Sequence, residues 1–151
     1  MKLTRFSDIG LRVLMYLARN PDGSSVTVAE VASQFDVPHN HLVKVVGAMA
    51  KLGWVDAVRG RNGGIRLAGK ASDIRIGTVL RGLEGDPEAI DCEGIGCRFS
   101  GDCTLRHALK CSVDAFYKSM DEYTLASIVN QNMDEQIIIM RRSFVSEQQR
   151  V

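Results

Sequence analysis

The chain has 151 residues, 45% hydrophobic and 25% charged, which suits one modest globular domain or one domain plus a short second element. No apolar run approaches the ~20 residues of a membrane span, and Met1-Lys2-Leu3-Thr4-Arg5 lacks the apolar stretch of a secretory signal. The sequence therefore reads as cytoplasmic, with no membrane partner, and its four cysteines as reduced thiols suited to metal or redox chemistry.

The net charge of +1 hides an asymmetry. Residues 1–70 hold ten Lys/Arg and five Asp/Glu, whereas residues 71–151 hold nine and thirteen. A basic first half beside an acidic second half points to a polyanion partner for the first half alone.

Taken in chain order, residues 5–19 read as a helix, with Ile9, Val13, Leu14 and Leu17 at helical spacing and Thr4 or Ser7 as cap. Asn20 to Ser25 is a loop by its turn chemistry. Thr27 caps a short helix over 28–35, with Glu30 at capping-box spacing. Asp36-Val37 makes a tight turn, and Asp is tolerated there because it visits the left-handed region more readily than most residues. Pro38 then opens a helix that runs to about Leu52 and stops at Gly53. Trp54–Val58 and Ile65–Ala68 read as strands of a hairpin around Arg59-Gly60-Arg61-Asn62-Gly63-Gly64, where Asn-Gly is the turn signal. Residues 76–84 and 104–120 read as helices, 85–103 as a loop with three of the cysteines, and 124–130 as one more short helix. The polar end of the chain reads as a flexible tail.

Two short helices around a tight turn, followed by a hairpin, describe a winged helix-turn-helix. Val31, Phe35, Val37, Leu42 and Val45 supply its apolar set, and Ala32 the small residue at the crossing. On the third helix Leu42, Val45, Val46, Met49 and Leu52 are expected inward. Asn40, Lys44, Gly47, Ala48 and Lys51 are expected outward on a shallow face. Asn and Lys can read base edges, and Lys also pairs with phosphate. His39, Asn40, Lys44 and Lys51, with Arg59, Arg61 and Asn62 at the hairpin tip, are the candidate DNA contacts.

Cys92, Cys97 and Cys103 share one loop with Gly94, Gly96 and Gly101, and three thiolates there suit a soft metal centre. Zinc in closed sites and iron–sulfur clusters both normally take four protein ligands. Cys111 lies about two helical turns, roughly 12 Å, past Cys103 and reads as a small buried residue. His107, one turn past Cys103, is a candidate fourth ligand. Leu105, Leu109, Val113, Phe116 and Met120 form a stripe along the long helix that suits pairing with a second copy.

Lys2-Leu3-Thr4, the segment Val58 to Leu67, the three-cysteine loop and Tyr123-Thr124-Leu125-Ala126 together make the chain, over about residues 1–132, similar to the NsrR branch of nitric-oxide-sensing winged-helix repressors. That family also contains IscR and RirA. The resemblance implies a homodimer paired through its long helix. It also implies an iron–sulfur cluster, 4Fe–4S rather than 2Fe–2S, on Cys92, Cys97 and Cys103. The fourth ligand it implies is an acidic side chain of the partner subunit, at the position that Asp8 occupies here; His107 is the alternative.

The expected fold is mainly α with a small β-hairpin. Residues 1–75 would be the winged helix-turn-helix, 76–132 the cluster loop and dimerisation helix, and 133–151 a C-terminal tail. The expected function is transcriptional repression that ends when nitric oxide nitrosylates the cluster and palindromic operator DNA is released. A regulator that senses iron or cluster supply is the alternative. Without a Ser/His/Asp set, phosphate loop or nucleotide fingerprint an enzyme is not expected, and a zinc-stabilised interaction module is the remaining reading.

Overall fold

A computed structural model describes residues 2–20, 24–58, 60, 63–85, 90–92, 94–99, 103–129, 135–140, 142 and 144. Helix α1 spans Arg5–Ala18, α2 Val28–Gln34 and α3 His39–Lys51; strands β1 (Val55–Val58) and β2 (Gly64–Leu67) follow, then α4 (Ile76–Glu84), α5 (Thr104–Met120) and α6 (Leu125–Ile128). The fold is therefore mainly helical with an antiparallel hairpin, as expected, and element ends agree with the sequence reading to within one or two residues at most ends.

Local chemistry accounts for the helix ends. The Thr4 hydroxyl accepts from the Ser7 N–H at 3.3 Å, and that of Thr27 from the Glu30 N–H at 3.1 Å. The Glu30 carboxylate accepts from the Tyr16 hydroxyl at 2.7 Å, which fastens α2 to α1.

Helix α2 ends in a Schellman arrangement: the Val37 N–H donates to Ala32 at 2.9 Å and the Asp36 N–H to Ser33 at 3.4 Å. This requires a left-handed residue between helices, and Asp36 takes φ +49. Helix α3 ends the same way, with Gly53 at φ +77 and bonds from Trp54 to Met49 and from Gly53 to Ala50. Asp36→Gly is expected to stabilise the fold by up to about 1 kcal/mol, and Asp36→Val to destabilise it by about 1–2 kcal/mol, because only the side chain resists this φ. Urea denaturation of both variants checks the sign.

Hairpin pairing places Asp56 opposite Arg66, whose Nη2 approaches the carboxylate at 3.3 Å. Val26 bridges Ile65 by two backbone bonds of 2.9 and 2.7 Å, a third short strand contact outside the sequence reading. It ties the hairpin to the segment before α2, so helix-turn-helix and wing share one core.

That core is built by Val13, Leu14, Val31, Leu42, Val45, Met49, Ile65, Val79 and Leu80, with α1 at its centre against α3, α4, α6 and β2. The expected helix-turn-helix set lies inside it, except that Phe35 is half-buried against Tyr16. Leu52, expected inward, is exposed, because it is the cap residue where the chain leaves the helix.

Helix α5 packs along α4, and Val113 and Tyr117 join the core. The close approach needs Gly77, where a β-carbon would land on the Tyr117 carbonyl oxygen and the Asp121 carboxylate. Gly77→Ala should cost about 1–3 kcal/mol by forcing α4 from α5; an unchanged melting temperature would contradict this contact. Asp121 also pairs with Arg81 and accepts from the Thr78 hydroxyl at 3.2 Å. Burial raises its carboxyl, but those bonds outweigh it and hold it below the usual range.

The Thr4 N–H and hydroxyl both donate to Glu84 Oε1, at 2.9 and 3.0 Å, so the start of α1 is tied to the end of α4. Burial pushes Glu84 up, yet hydrogen bonds from Ser7 and Thr4 prevail and its carboxyl titrates below its ordinary value.

Candidate functional site

The outer face of α3 carries exposed His39, Asn40, Lys44, Gly47 and Lys51, with Ala48 half-buried at its edge. The opposite face is fixed in the core by Leu42, Val45, Val46 and Met49, so the helix cannot rotate these residues out of view. His41 is different: its ring stacks on Phe6 of α1, 6.3 Å between centroids, and links α3 to α1. Val43, which the sequence reading passed over, is also on the outer face; its place between Asn40 and Gly47 at helical spacing was the available signal. Beside α3 the hairpin turns through Gly60, φ +114, whose carbonyl accepts from the Gly63 N–H at 2.9 Å. Arg59, Arg61 and Asn62 lie outside the described residues.

The three loop cysteines are reduced, Cys92 buried and Cys97 and Cys103 half-buried. The Asp91 carboxylate accepts from the Gly94 N–H at 2.6 Å, and the Cys92 carbonyl from the Cys97 N–H at 3.0 Å. Gly96, at φ +61, lets the chain turn inside this bond. Cys103 caps α5, and its carbonyl accepts from the His107 N–H at 3.1 Å. Three soft thiol donors on one loop are the right types for an iron–sulfur cluster. Among the described residues, no three His, Cys, Asp or Glu side chains are gathered closely enough to hold a metal ion.

The His107 imidazole is turned along α5, with Nε2 3.5 Å from the Cys111 sulfur. Cys111, expected to be buried, is exposed. It stands two residues, about 200° of helical turn, from core-facing Val113, so its side chain points the other way.

Asp8 sits in the first turn of α1, half exposed, with Oδ1 3.0 Å from Nε of Arg12. It rims a cleft with a volume of about 380 Å³ between α1 and a helical segment over 135–140. Ile137 from that segment is buried in the core.

Of the stripe on α5, Val113 is buried in this chain's own core and Phe116 and Met120 pack against it. Leu109 is half-buried, and Leu105 is 62% exposed. Ile95 and Phe99 of the cysteine loop are exposed as well. No helix among the described residues is long and apolar enough to cross a membrane.

Comparison with known proteins agrees with this architecture. CymR of B. subtilis, described as its global cysteine regulator, superposes with a TM-score of 0.68 at 21% identity, covering 85% of this chain and 96% of that one. The oxidised form of Staphylococcus aureus CymR gives 0.67 at 24% identity, covering 86% and 97%. IscR of T. potens gives 0.66 at 24% identity, covering 85% of each chain. At these identities the likeness shows the fold. The model of the Rrf2 family, described as iron-dependent transcriptional regulators, matches residues 3–131. The chain belongs to the Rrf2 family of transcriptional regulators, which bind DNA, typically as dimers, and are not enzymes.

Proposed function

We propose that this regulator is a repressor that senses nitric oxide through an iron–sulfur cluster, 4Fe–4S rather than 2Fe–2S, and releases palindromic operator DNA in response. Cys92, Cys97 and Cys103 would hold the cluster, with Asp8 of the partner subunit as fourth ligand. Residues 1–75 would form the DNA-binding region and 76–132 the sensing and dimerisation region, with Leu105 on the dimer face and 133–151 as the tail. When bound, the cluster supplies iron, to which nitric oxide binds strongly.

The observation that supports this reading best is the disposition of the two candidates for fourth ligand. The His107 ring is directed down α5 toward Cys111, whereas Asp8 stands at the surface of α1, held by one exposed ion pair. Carboxylate is a hard ligand among soft ones and therefore the weakest link of such a set. Helix α1 packs on α3, and Phe6 stacks on His41, so a displacement of α1 is passed to the face that meets DNA.

The test is operator affinity of anaerobically isolated protein before and after stoichiometric nitric oxide, with visible absorbance as the measure of cluster content. Unchanged affinity despite altered absorbance would overturn the reading. The competing function, sensing of iron or cluster supply, draws support from His107 standing one turn past Cys103. It predicts that affinity follows iron loading and that nitric oxide does no more than a chelator.

The docking face has its own test. Lys44→Ala and Arg59→Ala should each weaken operator binding and lower the log–log salt slope by about one for every phosphate that is no longer neutralised. Neither should change iron content. Unchanged gel-shift affinity in both would remove this face from the interface.

A further inference from the structure

Val43 projects from the α3 face that carries Asn40 and Lys44, and it is 47% exposed. It walls a cleft of about 300 Å³ between α3 and the hairpin, and Val58, 58% exposed, lines the same cleft. Gly47, one turn beyond Val43, has no atom within 4 Å of where a β-carbon would stand, so the floor beside the valine is open. A single exposed valine is ordinary on a protein surface, and this one contributes little to the core that Leu42, Val45, Val46 and Met49 build behind it. Its setting is what matters. It is an apolar, β-branched side chain on a face where lysines flank a shallow surface, in the basic half of a DNA-binding regulator.

Valine offers nothing to hydrogen-bond. In the major groove the edges of the base pairs present donors, acceptors and one apolar projection, the 5-methyl group of thymine. A branched side chain beside an open floor complements that group, and Lys44 next to it supplies the charge that holds the duplex close.

We propose that Val43 is a specificity-determining residue that reads a thymine 5-methyl group in the operator half-site. This rests on the docking of α3 put forward above.

The test uses full-length, anaerobically isolated protein and duplexes selected by the wild type from a randomised library. Each thymine of a selected duplex is replaced singly by deoxyuracil, which removes only the methyl group. For the wild type, one thymine per half-site should be sensitive, with a loss of about 3- to 5-fold, the size expected for exposing one buried methyl. Val43→Ala should lose a similar factor on the thymine duplex and nothing further on the deoxyuracil duplex. Because Val43 is exposed, the variant should keep the melting temperature of the wild type.

If every deoxyuracil is silent in the wild type, or the variant remains as sensitive as the wild type at the same position, the proposal is overturned. Unchanged affinity of Val43→Ala would likewise overturn it and assign the Val43–Val58 patch to another occupant, such as a protein. Lys44→Ala separates methyl recognition from the docking beneath it. If it weakens binding while deoxyuracil does not, the methyl reading alone fails; if it too is silent, or no duplex is selected, the docking of α3 fails and the methyl reading with it.

Discussion

Replacing Cys92, Cys97 or Cys103 by alanine is expected to reduce iron in the isolated protein to background and to remove its visible absorption. Two thiolates and one exchangeable carboxylate cannot hold a cluster that normally takes four ligands. The loop should nonetheless keep its path. Among its described residues, turns are closed by backbone bonds, Cys97 N–H to the Cys92 carbonyl and His107 N–H to the Cys103 carbonyl, and by Asp91 on the Gly94 N–H. None of these uses a sulfur. Alanine is the better replacement at buried Cys92, because it removes the sulfur without adding a buried hydroxyl, which costs about 1–3 kcal/mol if left unpaired. Circular dichroism should therefore be unchanged while iron and acid-labile sulfide disappear. Cys111→Ala should leave both at wild-type levels, since Cys111 lies exposed on α5 beside His107. If Cys111→Ala alone lost its iron, the ligand set would be wrong.

The second large effect is expected at Asp8, on signalling rather than on folding. Its exposed i,i+4 pair with Arg12 contributes about 0.3–0.5 kcal/mol, and its place in the first turn of α1 a further ~0.3–1 kcal/mol through the helix dipole. Asp8→Ala should thus remain folded and dimeric and, with three thiolates, retain iron. It should bind operator less tightly than the wild type and lose less affinity on nitric oxide, because the side chain that would tie α1 to the cluster is gone. Affinities of both proteins, each before and after stoichiometric nitric oxide and at matched absorbance, measure this. A variant equal to the wild type in both would return Asp8 to the role of a helix-end charge. His107→Ala is the companion measurement. Loss of iron there, with Asp8→Ala behaving normally, would favour histidine ligation and the supply-sensing alternative.

What the sequence determined by itself is local. Thr4 and Thr27 cap α1 and α2, Asp36 takes the left-handed position of the turn, Gly53 stops α3, and a hairpin turn falls at the Asn-Gly signal, where the Gly63 N–H donates to the Gly60 carbonyl. Each is settled by residues within a few positions, where hydrogen-bond reach and allowed φ leave few choices. Apolar spacing likewise fixed which face of α3 turns inward over Leu42, Val45, Val46 and Met49.

What only the tertiary structure decided involves segments far apart in the chain. Val26 pairs with Ile65, Glu84 holds Thr4, Ile137 enters the core, and α5 finds a partner in α4 because Gly77 lets the backbones meet. Periodicity along one helix cannot reveal these, because it records an apolar face but not which distant surface covers it. The stripe on α5 shows the consequence: its spacing was readable, yet Val113 faces this chain's own core while Leu105 stays exposed. Cys111 shows it again, since the rotation of α5 about its axis is set by Val113 and Tyr117 packing inward, and that rotation alone puts the thiol at the surface.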